Sequence, residues 1–340
     1  MVRLPLGKIP IDVLSETVLS KTGAPSKRIA TPPRPGLDFA AIELDGGYLI
    51  VSADPITGVS DLIGSYAVDV SANDVATSGN RPQFIESVVL LPEASGKAEL
   101  VRIADQMHRR ARALGIAIVG GHTEVTPGLR RPVVAVTAFS FAKNYVSSQD
   151  AEPGDTMMMT KTAGVEGTAA IAREGLVSGR RVPRSLGLEG GRFVTRLSVV
   201  EEAEKAYATD CVRAMHDCTE GGVLGASFEM SLASDVGFVL EETAVPVAST
   251  TRKICSLFGL DPLKLIGSGS MLLAVKKGKE KALREAMRGT CKVTAIGEFT
   301  DEGRVLVKES GEEVIVKSAP EDELWRALGR GGWARHGAHF

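Results

Sequence analysis

Ser71-Ala-Asn-Asp-Val-Ala-Thr-Ser-Gly79 closes a stretch in which Leu62, Ile63, Tyr66, Ala67 and Val70 recur at helical spacing. The pattern predicts a helix over residues 60–78, with Gly79 able to end it as a C-cap. Acids on a helix ordinarily mark a solvated face, and Asp69, one turn before Asn73-Asp74, fits that reading. Here, however, Tyr66, Ala67, Val70 and Ala76 wrap several sides of the same helix. Asn73 and Asp74 are therefore expected to be half-buried, and a buried acid needs a partner.

Upstream, two apolar runs, Phe39–Leu44 and Tyr48–Ala53, flank Asp45-Gly46-Gly47 and predict a β-hairpin. Downstream, residues 83–91 read as a strand and 97–114 as a helix stopped at Gly115. A buried strand at Ile116–Val119 is expected to end at Gly120-Gly121-His122-Thr123, and Arg131–Phe141 is a further strand. The polar stretch Lys143–Asp155 is the best boundary. It divides the chain into an N-terminal domain over 1–145 and a C-terminal α/β domain over 150–340. The second half repeats the alternation, with strands at 156–160, 211–215, 236–240, 271–275 and 293–298, helices between them, and a hairpin at 303–317. Alternating strands and helices with several hairpins predict an α+β chain of two layered units.

The bulk numbers agree. A chain of 340 residues is comfortable for two cores, and 44% hydrophobic with 24% charged residues is a globular composition. A net charge of -2 leaves no electrostatic footprint for a nucleic-acid backbone. No window approaches a membrane-spanning length and the N-terminus lacks a sustained apolar run, so a cytoplasmic protein is expected. Cys211, Cys218, Cys255 and Cys291 form no Cys-x-x-Cys pair and read as free thiols.

Several polar clusters sit where elements end. Asp38 follows the stiff loop Thr31-Pro-Pro-Arg-Pro-Gly36, and Asp54 ends the strand Val51-Ser-Ala-Asp54. Carboxylates at loop and strand ends suit Mg²⁺ shared with triphosphate oxygens, because Mg²⁺ takes one or two carboxylates plus phosphate. Singly, each has a plainer reading as a turn residue or a solvated acid. Met215-His216-Asp217-Cys218-Thr219-Glu220-Gly221-Gly222 follows a strand and precedes a helix. Its free N–H groups would favour an anion, or it is a capped turn and nothing more. Leu265-Ile-Gly-Ser-Gly-Ser-Met271 either lines a site or is a bulge. His336 and His339 in the tail invite a metal reading, against which a mobile or dimer-packed end is preferred.

Taken in order, these segments resemble the aminoimidazole ribonucleotide synthetase (PurM-like) superfamily, with the hydrogenase-maturation protein HypE nearest. Ser71–Gly79 followed by Arg81-Pro82 looks like the family's Asn-Asp helix. Gly120–Thr123 looks like its Gly-Gly-x-Thr strand end, and His216–Gly222 like its second-domain turn. The match runs from about residue 10 to about residue 325. The resemblance implies a four-stranded N-terminal sheet that pairs with that of a second chain in a homodimer, with nucleotide clefts at the interface. It implies ATP and Mg²⁺ as cofactors, with Asp38, Asp54 and Asp74 as metal or phosphate ligands and Asn73 orienting the site. Asp74, His122 and Asp217 would be catalytic. Thr123, Thr219, Gly221 and Gly222 would contact the nucleotide. The implied chemistry is phosphoryl transfer from ATP to an amide-like carbonyl oxygen or another acceptor. The alternative is a nucleotide-binding regulatory or scaffold protein without turnover.

The departures bear on the acceptor. HypE proteins typically end in a cysteine, whereas the last cysteine here is Cys291, so HypE's self-dehydration is not expected. Gly121-His122-Thr123-Glu124 replaces the Gly-Asp-Thr-Lys of HypE. Residues 25–38 lack the cysteine or selenocysteine of selenophosphate synthetase, and the double Asp of thiamine-monophosphate kinase is reduced to Asp38-Phe39. The acceptor, small or protein-borne, stays open.

Overall fold

A computed structural model describes residues 4–59, 61–178 and 182–329. The first half holds a five-stranded sheet, one strand more than the resemblance implied. Its strands are β1 (Ala40–Leu44), β2 (Gly47–Ile56), β3 (Phe84–Leu91), β4 (Ala117–Val125) and β5 (Val133–Ala142), in the spatial order β1-β2-β5-β3-β4. All neighbours are antiparallel except β3 and β4. The Asp45-Gly46 turn joins β1 to β2 as expected, with Gly46 at φ +89°.

A one-turn helix α1 (Ile11–Leu14) precedes this sheet, and α2 (Ile63–Ala76) and α3 (Lys97–Leu114) pack on it. The helix α2 confirms the opening reading and exceeds it. Ser65 is the single residue of α2 that is not buried, and Asp69, expected in solvent, is 1% exposed. A helix apolar all round belongs inside a core. Asp69 survives there because Arg110 of α3 pairs with it; burial still raises its pKa to about 6, the arginine working against the rise. The hydroxyls of Thr77 and Ser78 bond back to the carbonyls of Asp74 and Val75 and finish the helix. At Gly79 (φ +84°) a Cβ would sit 2.3 Å from the Tyr207 ring, so only glycine fits the exit.

The second half carries α4 (Val165–Ser178), α5 (Arg184–Gly191), α6 (Val200–Ala208), α7 (Gly222–Ser234), α8 (Ser249–Phe258), α9 (Glu280–Ala286) and α10 (Glu323–Gly329). They surround a seven-stranded sheet of β6 (Thr156–Thr160), β7 (Val212–Asp217), β8 (Gly237–Glu241), β9 (Met271–Val275), β10 (Val293–Thr300), β11 (Arg304–Val307) and β12 (Glu313–Ile315). The strand order is β12-β11-β8-β10-β6-β9-β7. The fold is therefore α+β in two layered units, as read. The junction is not loose: Ser148 Oγ donates to Gly36 O, and Ser234 Oγ donates to Ser148 O at 2.9 Å. One apolar core runs across it, joining Tyr66, Val70 and Ile85 of the first half to Met158, Met215 and Leu273 of the second.

The strand β4 corrects the expectation of a buried strand ending at Gly120–Thr123. Every residue from Ala117 to Val125 is exposed, and Gly120–Thr123 lie inside the strand, opposite Glu86–Val89 of β3. Gly121 is required by closeness, since a Cβ there would meet Ser87 O at 2.0 Å.

Candidate active site

The two halves line a cleft-like cavity of about 680 Å³. Four aspartates from four separate segments line it: Asp38, Asp54, Asp74 and Asp217. The fold places each by a different device. Gly36, at φ +83°, lies so tightly on α7 that a Cβ would meet Glu229 O at 2.3 Å, which seats the Asp38 loop against the second half. Asp54 lies near the end of β2, and Asp74 faces it from α2, held by Ser52 Oγ at 2.7 Å. Asp217 ends β7.

The cluster is electrostatically frustrated. Burial, then the charges of Asp54, Asp217 and Asp38, push Asp74 well above the usual carboxylate range, with Ser52 opposing. Burial, then Asp38, does the same to Asp217, while His216 and Lys8 pull it down. Asp54 is raised by burial and partly restored by its hydrogen bond with Asp74. Both oxygens of Asp217 and Oδ2 of Asp38 are buried without a hydrogen-bond partner. Such groups are costly unless a cation or a proton completes them.

One side of the cluster is neutralised internally. His216 Nδ1 contacts Asp38 Oδ1, and its Nε2 lies 3.3 Å from Glu229 Oε2. Lys8 Nζ reaches the other Glu229 oxygen at 2.6 Å. Although burial opposes a charged imidazole, Asp38 and Glu229 lift His216 to about 10, so it is an imidazolium at neutral pH. Burial alone would raise Glu229, but Lys8 and His216 bring it down to about 2. Lys8 keeps 46% of its side chain exposed, so its contribution is that of a partly screened pair.

The expected ligands divide. Asp38, Asp54, Asp74, Asp217 and Thr219 all face the cavity. Asn73 does not line the cavity: its Nδ2 donates to Leu197 O and its Oδ1 accepts from Val199 N, both at 2.8 Å, so it clamps α2 to the second half. The Gly221 amide donates to Asp322 Oδ2 at 2.7 Å, leaving it unavailable to an anion. Gly222 serves close packing, for a Cβ there would meet Leu263 O at 2.6 Å. His122 and Thr123 lie on exposed β4, three strand positions from β2, and His122 pairs with Glu124 at 3.0 Å. Within one chain they do not join the aspartates. Among the described residues no three His, Cys, Asp or Glu form a ready-made metal cage. His336 and His339 fall outside the described residues.

Sequence reading left Lys8, Glu229 and Glu166 unassigned, and all three line the cavity, as does Ser268 of the stretch Leu265–Met271 that was expected either to line a site or to form a bulge. The two glutamates did leave a signal. Each is a lone acid in an otherwise small and apolar helical run, Gly222–Ser234 and Val165–Ala172. Lys8 left none.

Comparison with known proteins agrees with this architecture. The family model "AIR synthase related protein, N-terminal domain" matches residues 36–142, and its C-terminal counterpart matches 152–309. Carbamoyl dehydratase HypE of Cupriavidus necator is 31% identical over 289 residues, covering 81% of this chain and 80% of the relative. The HypE chain of a HypE–HypF complex superposes with a TM-score of 0.73 at 24% identity, covering 90% of this chain and 99% of that one. HypE crystallised with ATP gives 0.70 at 21% identity, covering 93% and 96%. At those identities the two structural likenesses are ones of fold. Among the described residues no helix is long and apolar enough to cross a membrane. With both domain models and a relative above 30% identity spanning most of its length, this chain belongs to the AIR synthase related family of enzymes.

Proposed function

We propose that this chain binds ATP in the cavity between its halves and transfers the γ-phosphoryl group to an acceptor oxygen, in the first instance that of an amide-like carbonyl. The observation that carries the reading is the convergence of Asp38, Asp54, Asp74 and Asp217 on one cavity, with three of their buried oxygens unpartnered. An all-oxygen set fits Mg²⁺, which is held by a few carboxylates together with substrate phosphates and needs no full protein cage. Asp38, Asp54 and Asp74 would hold the ion. When bound, it supplies charge neutralisation for the triphosphate. A relative named as a carbamoyl dehydratase, and a fold neighbour crystallised with ATP, support the same chemistry.

The reaction is balanced by ADP leaving as the carbonyl oxygen takes the phosphoryl group. The activated carbon then loses phosphate on attack by a nucleophile or on dehydration. Nothing in this requires a covalent enzyme nucleophile. The chain's own part is to position the reactants and exclude water. His216, fixed between Asp38 and Glu229, keeps the Asp38 carboxylate aimed at the cavity.

We infer further that the chain forms a homodimer through the first sheet. One face of that sheet packs on α2 and α3, and the other leaves Val88 39% and Phe141 53% exposed beside the open edge of β4. An apolar face next to an unpaired edge calls for a covering partner. A second copy seated there would carry its own His122 and Thr123 towards a cavity that the single chain leaves without them.

Calorimetry with ATP and Mg²⁺, followed by phosphate release in the presence of amide, thioamide and phosphate-ester acceptors, tests the proposal. We expect binding and acceptor-stimulated release, both suppressed in Asp74→Asn. Absence of nucleotide binding at millimolar concentration refutes the reading. Binding without release under any acceptor points instead to a nucleotide-binding regulatory protein.

A further inference from the structure

A second hollow, of about 680 Å³, opens where the C-terminal end of α3 meets the loop before α6 and the turn before β10. It shares no lining residue with the aspartate cavity. Arg81 and Arg110 enter it from the first half, and Lys161, Arg196 and Lys292 from the second. Past Thr290–Lys292 its wall continues into a shallower groove that Arg284 and Arg288 line and no acid does.

Three of the five cations are already answered. Arg81 pairs with Glu204, and Arg110 with Asp69. Lys161 meets Glu202 at 2.6 Å, and also donates to Arg196 O at 3.1 Å and Ser198 O at 2.6 Å. Glu201, the other acid in the wall, is 69% exposed and lies 4.0 Å from Lys205. Each of these four acids thus has a cation of its own. Arg196 and Lys292 have no carboxylate partner among the described residues: Arg196 lies over the Phe193 ring at 4.9 Å, and Lys292 is exposed. The hollow therefore keeps two surplus positive charges. Helix α6 also opens into it at Val200, and of its first amides only Val200 N has a side-chain partner, Ser198 Oγ at 3.3 Å. That end of a helix favours an anion. Thr162 lines the hollow too, its buried hydroxyl without a partner among the described residues.

We propose that this hollow binds a phosphate monoester of a small organic molecule, with Arg196, Lys292 and the opening of α6 holding the phosphoryl group. A phosphate monoester is close to a dianion above neutral pH and balances both surplus charges, whereas a single carboxylate balances one. A guanidinium takes two phosphate oxygens side by side. A space of this size holds more than a bare ion, and Ala113, Leu114 and Pro246 offer the organic part an apolar wall. Since the positive charge comes from the chain itself, no divalent ion is needed. The site goes beyond the ATP reading and does not depend on it.

Calorimetry on the full chain at pH 8 in EDTA tests it, with phenyl phosphate, inorganic phosphate and succinate as probes. Removing divalent ions silences any phosphate binding that the aspartates support through Mg²⁺. Phenyl phosphate is expected to bind most tightly, and less so as salt is added. Arg196→Gln and Lys292→Gln should each weaken it by about tenfold, while Lys253→Gln, which removes an exposed charge from α8, should change it less than about twofold. Should Arg196→Gln fail to fold, the exposed Lys292 still decides. Cys291 gives an independent readout: it lines the hollow and is half-buried, whereas Cys211, Cys218 and Cys255 are buried. Phenyl phosphate should slow its alkylation by iodoacetamide, mapped by mass spectrometry. The proposal is overturned if phenyl phosphate does not bind at millimolar concentration, or if inorganic phosphate or succinate binds as tightly. It is equally overturned if Lys292→Gln binds like wild type, or if binding leaves Cys291 alkylation unchanged.

Discussion

Replacing Asn73 by alanine separates a structural clamp from a ligand contact. Its side-chain amide is buried, donating to Leu197 O and accepting from Val199 N, each at 2.8 Å, across the junction of the two halves. Leu197 and Val199 are both 0% exposed, so water cannot replace the lost partner. Each orphaned buried group costs about 1–3 kcal/mol, which places Asn73→Ala, with two of them, at roughly 2–6 kcal/mol of destabilisation. Taking ~3 kcal/mol and the usual unfolding entropy per residue, the thermal midpoint should fall by about 4 °C if the whole chain melts together. The drop is larger if one half melts alone. Asn73→Asp should fare no better, since it keeps the acceptor for Val199, loses the donor to Leu197 and adds a buried charge. Differential scanning calorimetry gives the midpoint, and hydrogen exchange at Val199 reports the specific bond. ATP affinity of the folded fraction should change less than about threefold, because the amide faces protein and not the cavity. An Asn73→Ala protein with wild-type stability and abolished nucleotide binding would refute the clamp.

Asp217→Asn should raise the thermal midpoint of the ligand-free protein, because it removes a buried carboxylate with two unpartnered oxygens. It should also abolish stabilisation by ATP with Mg²⁺; a lower ligand-free midpoint counts against the frustrated cluster. Burial sets Glu166 at about 8, Asp322 at about 7 and Asp69 at about 6, above their unfolded values, so the folded chain holds these protons more tightly. Ligand-free stability should therefore rise as pH falls from about 9 to about 6. Glu229, lowered to about 2, acts the other way: its contribution is present above its ordinary value of 4.5 and lost as pH falls towards 2. A midpoint that climbs steadily from pH 6 to 9 contradicts this balance. Lys8→Met should cost about 1 kcal/mol or less in chemical denaturation, since the pair is partly exposed and His216 still holds Glu229. Val119→Lys, on the exposed edge strand, should leave the chain folded and monomeric by light scattering; an unchanged dimer would place the interface elsewhere.

How much of this was legible in the sequence depends on the distance over which each contact is made. The helix α2, the Asp45-Gly46 hairpin and the acids at element ends rest on local periodicity and turn chemistry, and the structure keeps them. The Asn73 clamp reaches residues 124 and 126 positions away, and the Lys8–Glu229 pair spans 221. No local pattern encodes such partners. The Gly221 amide looked free for an anion because the acid that takes it, Asp322, lies 101 residues downstream. The strand β4 failed differently: Ile116–Val119 has the apolar composition of a core strand, yet it sits at a sheet edge. Composition cannot distinguish a strand covered by its own chain from one left open. Glu166 and Glu229, each the one acid in a small and apolar helical stretch, show that a local rule, that an isolated acid among apolar neighbours must be doing something, could have found two of the three residues that were missed.

The core that threads through both halves has a consequence for inheritance. A protein whose halves each close their own interior can exchange one of them by recombination at the connecting stretch. Here such an exchange would present Tyr66 and Val70 with a foreign counterpart to Met158, Met215 and Leu273, and the Asn73 amide with a new backbone to grip. Any lineage that swaps one half must therefore refit the seam before the cavity between them can work, which favours the two pieces travelling as a pair.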